Sequence, residues 1–110
     1  MSKSAAPPRH PGEILKADWL EPAGLSETAL ARALGIDPPR INELVRKRRG
    51  MTADTALRLA RYFGGDPRAW LVMQMEFDLR EAELKAGKLI EQQVTPRAVP
   101  NRKSSEKPGR

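Results

Sequence analysis

The segment SETALARALGIDPPRINELV, residues 26–45, restricts the fold of this chain more than any other segment. Apolar residues recur three and four positions apart on both sides of Gly35, which places them on one face of a helix. Gly35 supplies the positive φ that ends a helix and permits a sharp turn. The segment therefore predicts two short helices that cross closely at a glycine turn. Their apolar seam comprises Leu30, Ala31, Leu34, Ile36, Ile41 and Leu44.

The second helix of this pair is predicted to begin at two prolines. Pro38 and Pro39 are tolerated there because N–H groups in the first turn have no intrahelical partner. Asp37 occupies the N-cap position, and its carboxylate can accept a hydrogen bond from the N–H of Arg40. Since Pro39 disfavours helical angles at Pro38, the helix could also begin one residue later.

The rest of the chain predicts further helices and an all-α fold, because no segment alternates apolar and polar residues long enough for a strand. GEILKADWL predicts a helix that ends at Pro22 and Gly24. MTADTALRLARYF predicts another, capped by Thr52. DPRAWLVMQMEFDLREAEL predicts a longer one that begins at Asp66, and a weaker apolar set after Gly87 is compatible with a last short helix. The helix predicted from MTADTALRLARYF is expected to have an inward face that comprises Ala56, Leu57, Ala60 and Phe63.

Positive charge is concentrated in one short segment and in the two ends of the chain. The net charge of the 110 residues is +6. Residues 46–49 (RKRR) carry four cations, and residues 97–110 carry five cations and one Glu. The parts between, residues 12–45 and 50–96, have a small excess of carboxylates. A focused cluster of this kind favours a surface that faces phosphate, and a solvated surface run is the alternative.

Several classes of protein are disfavoured by composition. The chain has no Cys, which excludes a disulfide framework and a thiolate zinc site. No apolar run approaches the roughly 20 residues of a membrane span, and the N-terminus lacks the apolar stretch of a signal peptide. We therefore expect a cytoplasmic protein without a membrane partner.

Enzyme chemistry is also disfavoured. His10 is the only histidine and is expected to lie in a flexible arm, so we assign it no ligand or base role. No nucleophile, metal-ligand or P-loop spacing is present, so no catalytic residue, metal or cofactor is expected.

The pair of helices around Gly35 has the pattern of a DNA-binding helix-turn-helix. The alternative is an ordinary pair of core helices. The cation run after the second helix favours DNA binding, because backbone contacts hold such a helix in the groove. DNA binding would make the protein nucleoid-associated. The predicted organisation is a flexible arm over residues 1–11, a helix-turn-helix DNA-binding domain with a C-terminal dimerisation helix over residues 12–95, and a disordered basic tail over residues 96–110.

The motifs HPGEIL, LEPAGLSETALARALG, RINEL and RGMTADTALRLARYFG, followed by the WL of DPRAWL, resemble those of the HigA-type (VapI-type) antitoxins. These belong to the Cro/C1-like (XRE) helix-turn-helix family, and the resemblance covers about residues 10 to 95. It implies a five-helix lambda-repressor-like DNA-binding domain and a homodimer that binds double-stranded operator DNA to repress its own operon. It also implies neutralisation of a cognate toxin, typically a RelE-like mRNA endonuclease. A free-standing XRE-family repressor without a toxin is the alternative.

Two departures from the family pattern affect these expectations. The recognition helix of similar proteins usually begins without prolines, so the operator sequence stays open. Similar proteins commonly carry Asn-Gly where this chain has Arg46-Lys47, which leaves open how the helix ends and makes the following loop more basic.

Arg40 is the residue predicted to read a base, because Arg suits bidentate contact to guanine. A phosphate contact or a pair with Glu43 is the alternative. Asn42 and Glu43 could read adenine and cytosine edges, although Glu43 could equally hold Arg40 or Arg46 in place.

The remaining predicted DNA contacts surround that helix. Pro38 and Pro39 can offer only apolar contact, for instance to thymine methyl groups. Ser26 is the N-cap candidate of the first helix of the pair, and Glu27 follows it. The backbone N–H groups at this helix start are expected to hold a phosphate. The basic run is expected to contact phosphates, and it comprises Arg46, Lys47, Arg48 and Arg49.

The helix from Asp66 onward has too many apolar residues for one stripe. One row can pack on the domain and the other can face a partner, although a wholly intramolecular core is the alternative. The predicted dimer interface comprises Trp70, Leu71, Met75 and Leu79. An acidic run on the same helix is a hypothetical toxin contact, or else a solvated face, and it comprises Glu76, Asp78, Glu81 and Glu83.

Overall fold

The computed structural model describes residues 7–98, which contain five helices and no strand. Helix α1 is continuous through three segments, of which the middle one has the wider winding of a π-helix. Its segments are Pro11–Ile14, Leu15–Leu20 and Glu21–Ala23. The other helices are α2, Glu27–Leu34; α3, Pro38–Val45; α4, Ala53–Phe63; and α5, Pro67–Gln93. The predicted all-α, five-helix fold is confirmed.

A single core joins the helices. The seam predicted across α2 and α3 is present, with five of its six residues buried and Ile36 packed at the edge of the core. Trp70 of α5 enters the same core, where its ring lies 6.0 Å from that of Trp19. The buried apolar residues are Leu15, Leu20, Leu30, Ala31, Leu34, Ile41, Leu44, Met51, Ala56, Leu59 and Trp70.

The ends of α2 agree with the sequence. The Ser26 hydroxyl accepts a hydrogen bond from the N–H of Ala29 at 3.0 Å. Gly35 ends the helix with φ +73°, and the N–H of Ile36 donates to the Ala31 carbonyl at 3.0 Å. A side chain at this φ would be strained, so the turn between α2 and α3 depends on glycine.

The start of α3 corrects one expectation. Asp37 has the extended backbone of an N-cap, and Pro38 is the first helical residue. The prediction that the Asp37 carboxylate bonds the Arg40 N–H is wrong, because that N–H donates to the Asp37 backbone carbonyl at 3.0 Å. With prolines at the first two helical positions, only this N–H of the first turn needs a partner, and the backbone provides it.

The inward face of α4 also differs from expectation. Leu57 is 61% exposed, whereas Leu59 is fully buried and Thr55 nearly so. The face that meets the core is centred between Ala56 and Leu59. Leu57 follows Ala56 by about 100° around the helix, which rotates it out toward solvent.

Helix α5 is one uninterrupted helix of 27 residues, so the separate short helix that the sequence allowed after Gly87 is not formed. A glycine within a helix costs only about 1 kcal/mol, and its neighbours Ala86, Lys88 and Leu89 are ordinary helix formers. At 1.5 Å per residue the helix is about 40 Å long. It therefore accounts for much of the 54 Å length of the molecule.

The start of the domain lies earlier than expected. His10 is 3% exposed and Pro11 is buried, so the predicted flexible arm does not extend to His10. Residues 1–6 and 99–110, which include most of the predicted arm and most of the predicted tail, lie outside the described residues. Between residues 7 and 98, no helix combines the length and the apolar character that crossing a membrane would require.

Candidate nucleic-acid interface

Helix α3 buries one face and presents the other. Ile41 and Leu44 point into the core, while Pro39 is exposed and Asn42 and Glu43 are half-buried on the outer side. A groove beside α3 brings Asn42 together with Ser26 and Glu27 from the start of α2. The predicted contact residues of both helices therefore meet on one surface.

Lys47 determines how α3 ends. Its φ is +63°, which makes it the one residue other than glycine with a positive φ between residues 7 and 98. The Lys47 N–H donates to the Leu44 carbonyl at 3.0 Å, and the Arg48 N–H donates to the Glu43 carbonyl at 2.8 Å. These two bonds form a Schellman motif, in which glycine is the usual residue at the left-handed position. A lysine there carries backbone strain while adding charge to the turn.

The basic turn, residues 46–49, is exposed along its whole length. The Arg46 guanidinium lies 3.5 Å from the Glu27 carboxylate and donates to the Asn42 carbonyl at 3.0 Å. Arg49 donates twice to Glu43, at 3.1 and 2.9 Å. Glu43 therefore pairs with Arg49. It pairs with neither Arg40 nor Arg46, the two partners proposed from the sequence. Exposed pairs of this kind are worth about 0–1 kcal/mol, so phosphate can replace the carboxylates at little cost.

Arg40 points away from the outer face of α3 and toward α4. Its Nη2 donates to the Asp54 carboxylate at 2.6 Å and to the Thr55 hydroxyl at 2.9 Å. The same Asp54 oxygen accepts from Arg58 Nε at 2.8 Å. Hydrogen bonds from Arg58 and then from Arg40 hold the pKa of Asp54 below its usual range. The residue predicted to read a base is thus engaged within the protein.

Gln74 of α5 supports the far end of the basic turn. Its Oε1 accepts from the Met51 N–H at 2.7 Å, and its Nε2 donates to Asp78 at 2.9 Å. A Cβ added to Gly50 would lie 3.2 Å from the Gln74 amide carbon, so the loop approaches α5 closely at this glycine. These contacts fix the turn relative to the long helix.

His10 lies behind the same turn. Its Nδ1 accepts a hydrogen bond from the Gly12 N–H at 2.9 Å, so His10 caps α1. Its ring meets Phe77 edge-on at 5.0 Å, and Lys47 lies across a shared cavity of about 270 Å³. Burial, and then the charge of Lys47, lower the pKa of His10, while Asp78 and Glu13 oppose the shift. The residue has a structural role that sequence reasoning missed.

The outer face of α5 carries a separate apolar surface. Met75 and Leu79 are 48% and 56% exposed, and Leu71 is half-buried beside them. Together with Met51 they line an apolar groove of about 560 Å³. Trp70, which was placed in this interface from the sequence, lies in the core of the protomer at 5% exposure and offers no comparable surface. It points inward because it is on the opposite side of the helix from Leu79.

Sequence reasoning missed four contributors to this site. Asp54 and Arg58 have the i, i+4 spacing of a helical ion pair, which could have indicated their contact. Nothing in the sequence indicated that Thr55 or Gln74 would reach the helix-turn-helix. Within residues 7–98, no group of three His, Cys, Asp or Glu side chains is arranged to hold a metal ion.

Comparison with known proteins places the chain in a family. The helix-turn-helix family matches residues 17–70. Virulence-associated protein I of Dichelobacter nodosus is 60% identical over 81 residues, which are 74% of this chain and 75% of that protein. The structure described as "Pseudomonas aeruginosa antitoxin HigA with higBA promoter" matches with a TM-score of 0.77 and 44% identity, over 81% of this chain and 97% of the other. This chain belongs to the HigA/VapI-type family of helix-turn-helix antitoxins.

A second structure agrees with this membership. Antitoxin GraA matches with a TM-score of 0.80 and 43% identity, and the match covers 84% of this chain and 99% of that one. Helix-turn-helix antitoxins and regulators of this family are non-enzymatic, which accords with the absence of a catalytic pattern in the sequence.

Proposed function

We propose that this chain is the antitoxin of a HigBA-type toxin–antitoxin module, which binds operator DNA as a dimer, represses its own operon and neutralises a RelE-like mRNA endonuclease. The observation that carries the DNA-binding part of the proposal is the single surface formed by the start of α2, the outer face of α3 and the exposed basic turn, which Arg46 joins to Glu27. Family membership supports it, since the related Pseudomonas aeruginosa HigA structure is described with the higBA promoter.

In the proposed complex, α3 lies in the major groove. Asn42 and Glu43 face base edges, and Pro39 offers apolar contact to a thymine methyl group. The start of α2 abuts the DNA backbone, where its N–H groups approach a phosphate. Glu27 would repel that phosphate on its own, but its pairing with Arg46 at 3.5 Å places a compensating cation beside it.

The basic turn contributes affinity that does not depend on sequence. Each of its four cations can replace a counterion on a phosphate, so binding weakens as salt concentration rises. The turn continues directly from the C-terminus of α3, and its backbone is fixed by the Schellman bonds and by Gln74. Phosphate contacts made there would hold α3 at one depth and angle in the groove.

The proposed dimer forms through the outer face of α5. The apolar groove at Leu71, Met75 and Leu79 is large and exposed in a single protomer, which favours burial against a second copy. Two-fold symmetry would place the recognition helices roughly 34–36 Å apart on a pseudo-palindromic operator. A dimer on the promoter represses by excluding polymerase.

The acidic side chains of α5 are the proposed contact for the toxin. Glu76, Asp78 and Glu83 are exposed, and Glu81 is half-buried with Lys85 at 3.6 Å. A toxin that cleaves RNA on the ribosome is expected to be basic, so charge complementarity favours this surface. Reversal of charge at Glu76 and Glu81 is expected to weaken toxin binding, and unchanged affinity would contradict this assignment.

Growth rescue tests the proposal as a whole. The small reading frame adjacent to this gene is expressed from an inducible promoter, with and without this chain. Growth arrest that this chain relieves is expected. A harmless frame, or arrest that persists although this chain is expressed and folded, would favour the second candidate, a free-standing repressor without a toxin.

DNA binding is tested separately by fluorescence anisotropy over a range of salt concentrations. An Arg48→Ala variant is expected to lose affinity on all duplexes and to reduce the slope of log affinity against log salt by about 1. Arg68→Ala is the matched control, because Arg68 is an exposed cation at the start of α5, outside the proposed DNA surface. Loss of affinity for the operator alone would contradict the phosphate assignment of Arg48.

A further inference from the structure

We infer that Arg40 is a positioning residue for DNA recognition and does not read a base: together with Asp54 and Arg58 it anchors both helices of the helix-turn-helix to the first turns of α4. This inference rests on the proposed DNA binding.

The anchor is a continuous chain of hydrogen bonds. Arg58 Nη1 donates to the carbonyl of Leu34, the last residue of α2, at 2.8 Å. Arg58 Nε donates to Asp54 at 2.8 Å, and Arg40 of α3 donates to the same carboxylate oxygen at 2.6 Å. Carbonyls at a helix C-terminus lack intrahelical partners, so Arg58 satisfies a group that α2 leaves open. Both helices are thereby tied to one carboxylate on α4.

A second hydrogen bond made by Arg40 fixes the position of its guanidinium in the anchor. Its Nη2 also donates to the Thr55 hydroxyl at 2.9 Å, and Thr55 is 5% exposed. Thr55 is in turn 3.2 Å from the hydroxyl of Thr52, the N-cap of α4. The guanidinium is therefore seated in a polar site at the start of α4 and does not lie loosely on the surface.

The position of Arg40 on α3 argues against base reading. Successive residues are about 100° apart around a helix, which places Arg40 about 160° from Asn42 and about 60° from Glu43, on the flank of α3 that faces Asp54 and Thr55. Bidentate contact to guanine requires two parallel N–H groups of the guanidinium. Arg40 would have to leave Asp54 and Thr55 to present them, whereas Asn42 already lies on the outer face.

The expected consequence concerns discrimination between DNA sequences. The anchor fixes the angle between α2 and α3, and hence where Asn42 and Glu43 meet base edges. Loss of the anchor leaves the cations of the basic turn in place. Affinity for the operator should therefore fall, while affinity for unrelated DNA should not.

Asp54→Asn distinguishes between the two alternative roles of Arg40, positioning and base reading. If Arg40 is a positioning residue, Asp54→Asn and Arg40→Met both lower operator affinity by about tenfold, the range of one lost base-pair contact. The operator affinity of the double variant is then no lower than that of the single variant with the lower affinity, because both changes break the same anchor. If Arg40 reads a base, Asp54→Asn frees its guanidinium and operator affinity stays equal or rises, while Arg40→Met alone loses it. That second outcome overturns the inference.

The measurement uses the full chain with two labelled duplexes, one taken from the DNA directly upstream of the gene and one with the same composition in shuffled order. Glu91→Gln and Arg68→Met are the charge-matched controls, since each removes one charge far from the anchor. Equal binding of the two duplexes by the wild-type chain would contradict the proposed operator recognition itself.

Thermal unfolding of the same variants tests the anchor without DNA. Arg40→Met and Asp54→Asn are expected to lower the melting temperature by amounts that do not add in the double variant. Additive effects would contradict the anchor whatever the DNA result. If Asp54→Asn fails to fold, Arg58→Lys replaces it as the change that breaks the anchor and keeps Arg40, because lysine keeps the charge but lacks the two separate nitrogens with which Arg58 bonds Asp54 and Leu34.

Discussion

Gly12 of α1 lies directly against the Leu44 carbonyl group of α3. A Cβ added to Gly12 would overlap the Leu44 carbonyl oxygen and would lie 2.6 Å from its carbonyl carbon and 3.1 Å from the Val45 Cα. These are backbone atoms, so no side-chain rotation can relieve the overlap. Helix α3 is therefore held against α1 at a distance that only glycine permits.

Gly12→Ala is expected to lower the free energy of unfolding by about 3 kcal/mol or more, because the backbones of α1 and α3 must separate. Gly87→Ala is the matched control. Its added Cβ would meet only Glu83 at 4.0 Å, and alanine should stabilise α5 by about 0.5–1 kcal/mol. Urea unfolding at fixed protein concentration measures the free energy of unfolding of both variants. Tolerance of alanine at both positions would contradict the close approach.

Lys47→Gly is expected to be more stable than Lys47→Ala by about 1 kcal/mol. Both variants lose the charge, but only glycine adopts the φ of +63° without strain. The two should bind DNA equally, each with a salt slope about 1 lower than that of the wild-type chain. Chemical denaturation measures the difference in stability, and fluorescence anisotropy measures the binding of DNA. Equal stability of the two variants would mean that the left-handed backbone at position 47 carries no strain.

If the proposed dimer forms, Leu79→Lys is expected to convert it to a monomer without unfolding it, because a charge in the outer groove of α5 cannot be buried against a second copy. Leu84→Lys serves as the comparison. Leu84 is 66% exposed and lies about 140° around the helix from Leu79, so it should leave the dimer intact. Sedimentation equilibrium measures the mass. Dissociation by both substitutions, or by neither, would contradict the proposed interface.

The stability of the protein is expected to fall as pH is lowered from about 6.5, the usual pKa of histidine. The pKa of His10 is lowered in the folded chain, so the unfolded chain takes up a proton first, and stability is lost until pH falls below the folded pKa. Protonation of Nδ1 would also remove the acceptor for the Gly12 N–H.

His10→Asn provides the comparison for this pH dependence, because asparagine can accept the same N-cap hydrogen bond but does not titrate. Thermal unfolding measured between about pH 5 and about pH 8 should show a melting temperature that depends less on pH in the variant than in the wild-type chain. Glu13 and Asp78, with Lys47, Arg48 and Arg49, face the same region and remain in both proteins. Identical pH profiles would show that His10 does not titrate in this window.

Much of the fold followed from local chemistry. Gly35, Ser26 and Pro38 each act on their own backbone neighbourhood, so their roles as stop, cap and first helical residue were predictable and are present. The long α5 was harder to predict. Gly87 weakens a helix locally, but the preference of its neighbours prevails, and a cost of about 1 kcal/mol does not break a helix of this length.

The partners of charged side chains were less predictable. The outward direction of Asn42 follows from the spacing of Ile41 and Leu44, but Arg40 lies at the flank of α3, where periodicity does not fix its direction. Its contact with Asp54 joins residues 14 positions apart in the chain. Such a pair depends on how α3 and α4 cross, which no local pattern records.

The sequence by itself determined the helices, the glycine turn, the buried seam and the basic turn, because each depends on backbone preference or on the apolar period of residues close in the chain. The tertiary structure alone decided that Arg40 faces Asp54, that Glu43 holds Arg49, and that His10 is buried against Phe77. Those contacts exist only once distant helices have packed, since they depend on distances between residues that the chain does not place together.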